Sequence, residues 1–146
     1  MAGQSINERQ DEIIADFSML EGDLEMTNFY LIELGQKLPE LTASERTEKN
    51  IVKGCQSKVW LTAELKEGKI YYKADSNTTI TKGLVSLLVR IFSGQSSDEI
   101  MNAELYFVER IGMNRFIGTQ RSNGFAAMLK QIKMYALAYS GKGHLY

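Results

Sequence analysis

The chain contains one cysteine, one histidine and one proline among its 146 residues. A single thiol excludes an intramolecular disulfide. With one imidazole beside it, it cannot supply the four ligands of a structural zinc site either. An iron–sulfur centre held by one copy of the chain is excluded for the same reason. The histidine, His144, stands in the closing stretch Gly143-His144-Leu145-Tyr146 and reads as a tail residue, which argues against a Cys–His hydrolase pair. The most apolar stretch, Gly83 to Phe92, falls well short of the roughly 20 residues that span a bilayer. The first residues lack a basic segment followed by an apolar one, so no secretory signal is expected. Neither acids nor bases dominate. With 17 basic and 18 acidic side chains and a net charge of −1, there is no general pull toward nucleic acid or anionic lipid. No phosphate-cradling glycine motif occurs, and Gly83, Gly94 and Gly112 read as punctuation.

What remains is ordinary globular material: 44% hydrophobic and 24% charged residues, enough for a real core in one domain spanning 1–146. Residues 1–4 and 141–146 are expected to be flexible ends. A soluble, cytoplasmic protein is expected, and a reducing compartment keeps a free thiol usable.

Periodicity orders the elements. Ser5-Ile6-Asn7-Glu8 fits a capping box, and Ile6, Ile13, Ile14, Phe17 and Leu20 follow at helical spacing. Gly22 ends that helix, Asp23 caps a second, and Pro39 stops it. Residues 40–57 are polar and irregular, with Thr42 to Glu45 able to cap one short turn. Val59, Leu61, Ala63 and Leu65 then alternate with more polar residues, and Lys66-Glu67-Gly68-Lys69 turns the chain into Ile70 to Ala74. Thr78-Thr79-Ile80 is β-branched and predicts a short third strand. Leu84, Leu87, Leu88 and Ile91 mark a central buried helix. Two short helices follow, from Ser96 and over Tyr106 to Ile111. Arg121-Ser122-Asn123-Gly124 then leads into a last long helix, with Phe125, Met128, Leu129, Ile132, Ala136 and Tyr139 on its inner face. Helices and strands are segregated, so the expected class is α+β, a small antiparallel three-stranded sheet against several helices.

Cys55 lies at the end of the polar loop, in Val52-Lys53-Gly54-Cys55-Gln56-Ser57-Lys58-Val59. An isolated cysteine is often a small buried hydrophobe. Here its neighbours are polar, Gly54 allows a turn or a close approach, and Lys53 and Lys58 would favour the thiolate. Chemistry needing one thiol is left: exchange, sulfur transfer or redox sensing.

The residues also resemble a family, the SufE-like sulfur acceptors of cysteine desulfurases. The resemblance runs from about Phe29 to Tyr139. It rests on Tyr30-Leu31-Ile32-Glu33-Leu34-Gly35-Gln36-Lys37-Leu38-Pro39-Glu40-Leu41, on Val52-Lys53-Gly54-Cys55-Gln56-Ser57-Lys58-Val59-Trp60-Leu61, on Ala74-Asp75-Ser76, on Thr81-Lys82-Gly83-Leu84 and on Gln120-Arg121-Ser122-Asn123-Gly124-Phe125. The resemblance implies a fold like that of the iron–sulfur scaffold protein. It implies that Cys55 takes persulfide sulfur from a cysteine desulfurase, stimulates that enzyme and passes sulfur to iron–sulfur cluster assembly on a scaffold. It implies no cofactor in this chain, because the pyridoxal phosphate belongs to the desulfurase. Gly54, Gln56, Ser57 and Arg121 become candidates for shaping the loop or docking the partner. Trp60 and Asp75 are weaker candidates, and Asn77 stands where some members carry an acid. The competing reading is an independent thiol redox protein or peroxide sensor using Cys55. No nucleic-acid or membrane partner is expected.

Overall fold

The computed structural model describes residues 3–141. Of the ends expected to be flexible, residues 1–2 and 142–146, His144 among them, lie outside the described residues. Helix α1 spans Ile6–Ser18 and opens on the expected capping box: Ser5 Oγ accepts from the Glu8 amide while the Glu8 carboxylate accepts from the Ser5 amide. Helix α2, Leu24–Lys37, is capped by Asp23, whose carboxylate accepts from the Met26 amide.

Between α2 and the sheet, Thr42 and Glu45 close a short turn. The Thr42 amide and hydroxyl donate to Glu45, and Lys73 pairs with its other oxygen at 2.6 Å. The hydrogen bond from Lys73, with the Thr42 amide next, pushes the Glu45 carboxyl down to about 2. A single 3₁₀ turn, Glu48–Asn50, precedes the loop that carries the cysteine.

Strands β1, Val59–Lys66, and β2, Lys69–Ser76, pair antiparallel with Val59 opposite Ser76 and Lys66 opposite Lys69. The predicted third strand is absent: among the described residues the sheet has two strands, and helix α3, Thr79–Phe92, begins inside Thr78-Thr79-Ile80. The reason is tertiary. The outer edge of β2 is already bonded by the following chain, through Ile70 N–H to Gln95 O, Gly94 N–H to Ile70 O and Tyr72 N–H to Ser93 Oγ. The outer edge of β1 receives Val52 N–H at Val59 O, the Tyr135 hydroxyl at Leu61 O and the Tyr139 hydroxyl at Ala63 O. Local β propensity therefore has no partner to meet, and the helical period of α3 takes over.

Helix α3 is the centre of the core, as its apolar circumference predicts. Leu84, Leu87, Leu88, Ile91 and Phe92 are fully buried between α2 and β2. Its start crosses α2 so closely that the Gly83 backbone lies against the Leu31 carbonyl. Short helices α4, Ser97–Asn102, and α5, Phe107–Arg110, lead to α6, Met113–Tyr139.

Helix α6 departs from expectation. It begins at Met113, so Arg121 to Gly124 lie inside it rather than ahead of it. Gly118, at φ 81° and ψ 171°, breaks it into two stretches. Such a conformation is reserved almost entirely for glycine. Ser122 bridges the break, its hydroxyl 2.9 Å from both Gly118 O and Asn114 Oδ1. Beyond it, Phe125, Met128, Ile132 and Ala136 reach the core, as their spacing predicts. The architecture is α+β, with one contiguous apolar core.

Candidate functional site

The break in α6 and the loop before β1 face each other. Cys55, Gln56 and Ser57 form one wall of a cleft of about 430 Å³, Thr81 and Leu84 of α3 a second, and the α6 residues flanking Gly118 a third. Gly54 brings the loop there. Its φ is +97°, and a Cβ would stand 3.1 Å from the Ala127 methyl of α6, so the position favours glycine twice over. Cys55 is half-buried and free of any disulfide. Its thiol donates to Gly124 O at 3.4 Å and lies against the bare Cα of Gly124. That weak bond holds the neutral thiol, because a thiolate has no proton to offer the carbonyl.

The electrostatics run against the sequence expectation. Lys53 and Lys58 are expected to favour the thiolate, yet both side chains are exposed, and burial pushes the Cys55 thiol up from its ordinary value. Desolvation outweighs two cations whose charge is dissipated in water. At rest the thiol is therefore protonated at neutral pH and a poor nucleophile.

The other candidate residues divide in two. Gln56, Ser57 and Arg121 join Cys55 at the cleft. Ser57 Oγ is bonded by the hydroxyls of Thr78 and Thr81 at 3.0 and 3.3 Å, tying the loop to the start of α3. Arg121 is exposed on the far wall, and among the described residues it has no hydrogen-bonding or ionic partner. Asp75 and Trp60 do not reach the cleft. Asp75 is buried, accepts from the Leu41 and Ser76 amides and pairs with Lys82 at 3.4 Å, so it fastens the chain after α2 to β2 and α3. Trp60 is half-buried on β1, where Ile51 bridges to it. Asn77 accepts from the Lys58 amide at 3.0 Å and closes the loop base without needing a charge.

Ile117, Gly118, Thr119, Gln120 and Met128 complete the cleft, and sequence reasoning does not single them out as site residues. A glycine within a helical stretch, Ile117-Gly118-Thr119, is the available signal. Among the described residues, no group of three or more His, Cys, Asp or Glu side chains could hold a metal ion.

A lone thiol, held neutral on a loop that turns at a left-handed glycine over an open cleft of an α+β domain, defines a thiol-presenting protein. Residues 11–136 match the family described as SufE, Fe-S metabolism associated domain. An uncharacterized SufE-like protein of Rhizobium meliloti is 37% identical over 131 residues, covering 86% of this chain and 93% of that protein. One of Rhizobium etli is 38% identical over 128 residues, covering 84% and 86%. The solution structure of a hypothetical protein from Thermus thermophilus superposes with a TM-score of 0.72 at 20% identity, over 88% of this chain and 93% of that one, and shares the fold. The chain belongs to the SufE family, and so to the accessory proteins of iron–sulfur metabolism.

Proposed function

We propose that this protein is a persulfide carrier. Cys55 takes sulfur from a cysteine desulfurase, thereby stimulating it, and delivers the sulfur to iron–sulfur cluster assembly on a scaffold. The carrying observation is the position of Cys55: half-sheltered in its cleft, next to the left-handed Gly54, in a family of iron–sulfur metabolism. The step is an exchange at sulfur. The Cys55 thiolate attacks the outer sulfur of the donor's persulfide, a new S–S bond forms on Cys55, and the donor's S–S bond breaks to release its thiolate. No outside oxidant or reductant is needed. The donor carries the pyridoxal phosphate, and the carrier supplies reach, shelter and release.

The raised thiol pKa assists that division of labour. In the cleft the group is neutral and inert toward stray electrophiles. Swinging out at Gly54 sacrifices one weak bond to Gly124 O and ends the desolvation, so the thiolate forms where the donor waits. A free-standing peroxide sensor needs the opposite, a thiol already ionised at rest. The walls of Leu84, Ile117 and Met128 would shield the persulfide once the loop returns. The carrier works in the cytoplasm, alongside its donor and receiver.

Incubation with a cysteine desulfurase and cysteine should add one sulfur atom to the chain, read by intact mass spectrometry. Cys55→Ser should remove the adduct while leaving the fold. An active desulfurase that leaves the unaltered chain without added sulfur would refute the proposal.

A further inference from the structure

The molecule is nearly neutral, yet its charge is sharply divided. Half of the acidic residues stand in residues 1–40, where Arg9 and Lys37 are the only cations. Residues 49–63 and 110–146 hold no Asp or Glu at all. The Cys55 loop and α6 lie in these two segments, and they face each other across the thiol cleft.

Beside the thiol cleft lies a second one, of about 370 Å³, between the loop and α6. Its rim carries Lys49, Lys53 and Lys130, all exposed and, among the described residues, without an ion-pair partner. Its apolar lining is Ile51, Ala127, Tyr135 and Met134, the last left 52% exposed, and Asn50 and Gln131 complete it. The two clefts share a helix wall. Gly124 accepts the thiol's bond, and Ala127, one turn on, supports Gly54 and lines the lysine cleft.

We infer that this lysine-rimmed cleft is the docking surface for the sulfur donor. It takes an acidic segment of the desulfurase that carries an apolar side chain, the acids meeting Lys49, Lys53 and Lys130 and the apolar group covering Met134. The inference rests on the carrier reading above and adds the chemistry of the partner's contact. Charge complementarity selects the occupant: three exposed lysines without ion-pair partners among the described residues steer and hold an acidic segment, and a buried apolar anchor sets the dwell time. Nucleic acid is disfavoured, because three lysines around one cleft do not make a backbone-tracking stripe on a chain of net charge −1.

The test is binding of the full chain to a cysteine desulfurase, measured by calorimetry at low and high salt. The unaltered chain should bind more weakly as salt rises. The double variant Lys49→Glu/Lys130→Glu should lose about tenfold or more in affinity at low salt, and most of the salt dependence. Its Cys55 alkylation rate should stay unchanged, showing that the thiol cleft is intact. Glu25→Lys/Glu33→Lys, on the exposed face of α2, should bind within about twofold of the unaltered chain. Affinity of Lys49→Glu/Lys130→Glu within about twofold of wild type would overturn the inference while leaving sulfur acceptance standing. So would displacement of the desulfurase by a single-stranded RNA. An unaltered chain that neither binds the desulfurase nor accepts sulfur overturns both readings together.

Discussion

Replacing Gly118 with alanine tests whether the break in α6 builds the thiol cleft. At φ 81° and ψ 171° the residue occupies a backbone region open almost only to glycine, and nothing lies within 4 Å of the place a Cβ would take. The cost is therefore conformational rather than steric crowding, about 2 kcal/mol if the break is retained. For a chain of this size that lowers the melting temperature by roughly 6 °C. The alternative is relaxation: alanine lets α6 run on without interruption. Thr119, Gln120 and Arg121 then move relative to Cys55, and the link from Ser122 to Asn114 across the break is lost. Only the second route reaches the site. Calorimetric melting, together with the iodoacetamide alkylation rate of Cys55, separates them. Strain without rearrangement lowers the midpoint and leaves alkylation alone. Rearrangement restores part of the stability and speeds alkylation as the cleft opens. A variant with an unchanged midpoint and an unchanged alkylation rate would refute the reasoning.

Three further outcomes follow from the geometry. Gly83→Ala should be among the most damaging single-methyl additions in the chain. Its Cβ would meet the Leu31 carbonyl at a separation no rotamer relieves, so α2 and α3 must part, at about 3 kcal/mol or more, and chemical denaturation should show it. The alkylation rate of Cys55 against pH should have its midpoint above the usual thiol value of about 8.5, and unfolding in urea should bring it back down. The sign for stability is set by the same shift. The folded state holds the thiol proton more tightly, so this contribution is fully present below about pH 8.5 and is lost as pH climbs through the raised folded value. The stability difference between wild type and Cys55→Ser should move accordingly across that window. A midpoint at or below the unfolded one would contradict the sheltered thiol.

The features visible in the sequence are those fixed within a turn or two of chain. The capping box of Ser5 and Glu8 and the cap at Asp23 are local hydrogen bonds. The apolar stripe of α3 is a local period, and the hairpin follows from alternation around Glu67-Gly68. The misread elements depend on distant chain. Thr78-Thr79-Ile80 has strand propensity, but its place beside β2 is filled by residues 93–95. Met113 and Ile117 lie one turn apart and are both buried, yet the glycines on either side mask them as a helix. At the site, the sequence points to Cys55, Gly54 and the loop, and the resemblance points to Arg121. The carbonyl that receives the thiol's bond lies 69 residues away. The burial that outweighs Lys53 and Lys58 comes from helices that local pattern does not place against the loop.

The hairpin's two outer margins are both occupied by donors and acceptors from its own chain, Tyr135 and Tyr139 among them. So filled, they offer little to recruit an extended peptide as an added ribbon. Whatever this molecule meets must therefore approach side chain to side chain, through its helices and the thiol-bearing loop. An encounter of that kind leaves no main-chain zipper to undo, which would suit the proposed carrier, a courier that must let go after each delivery.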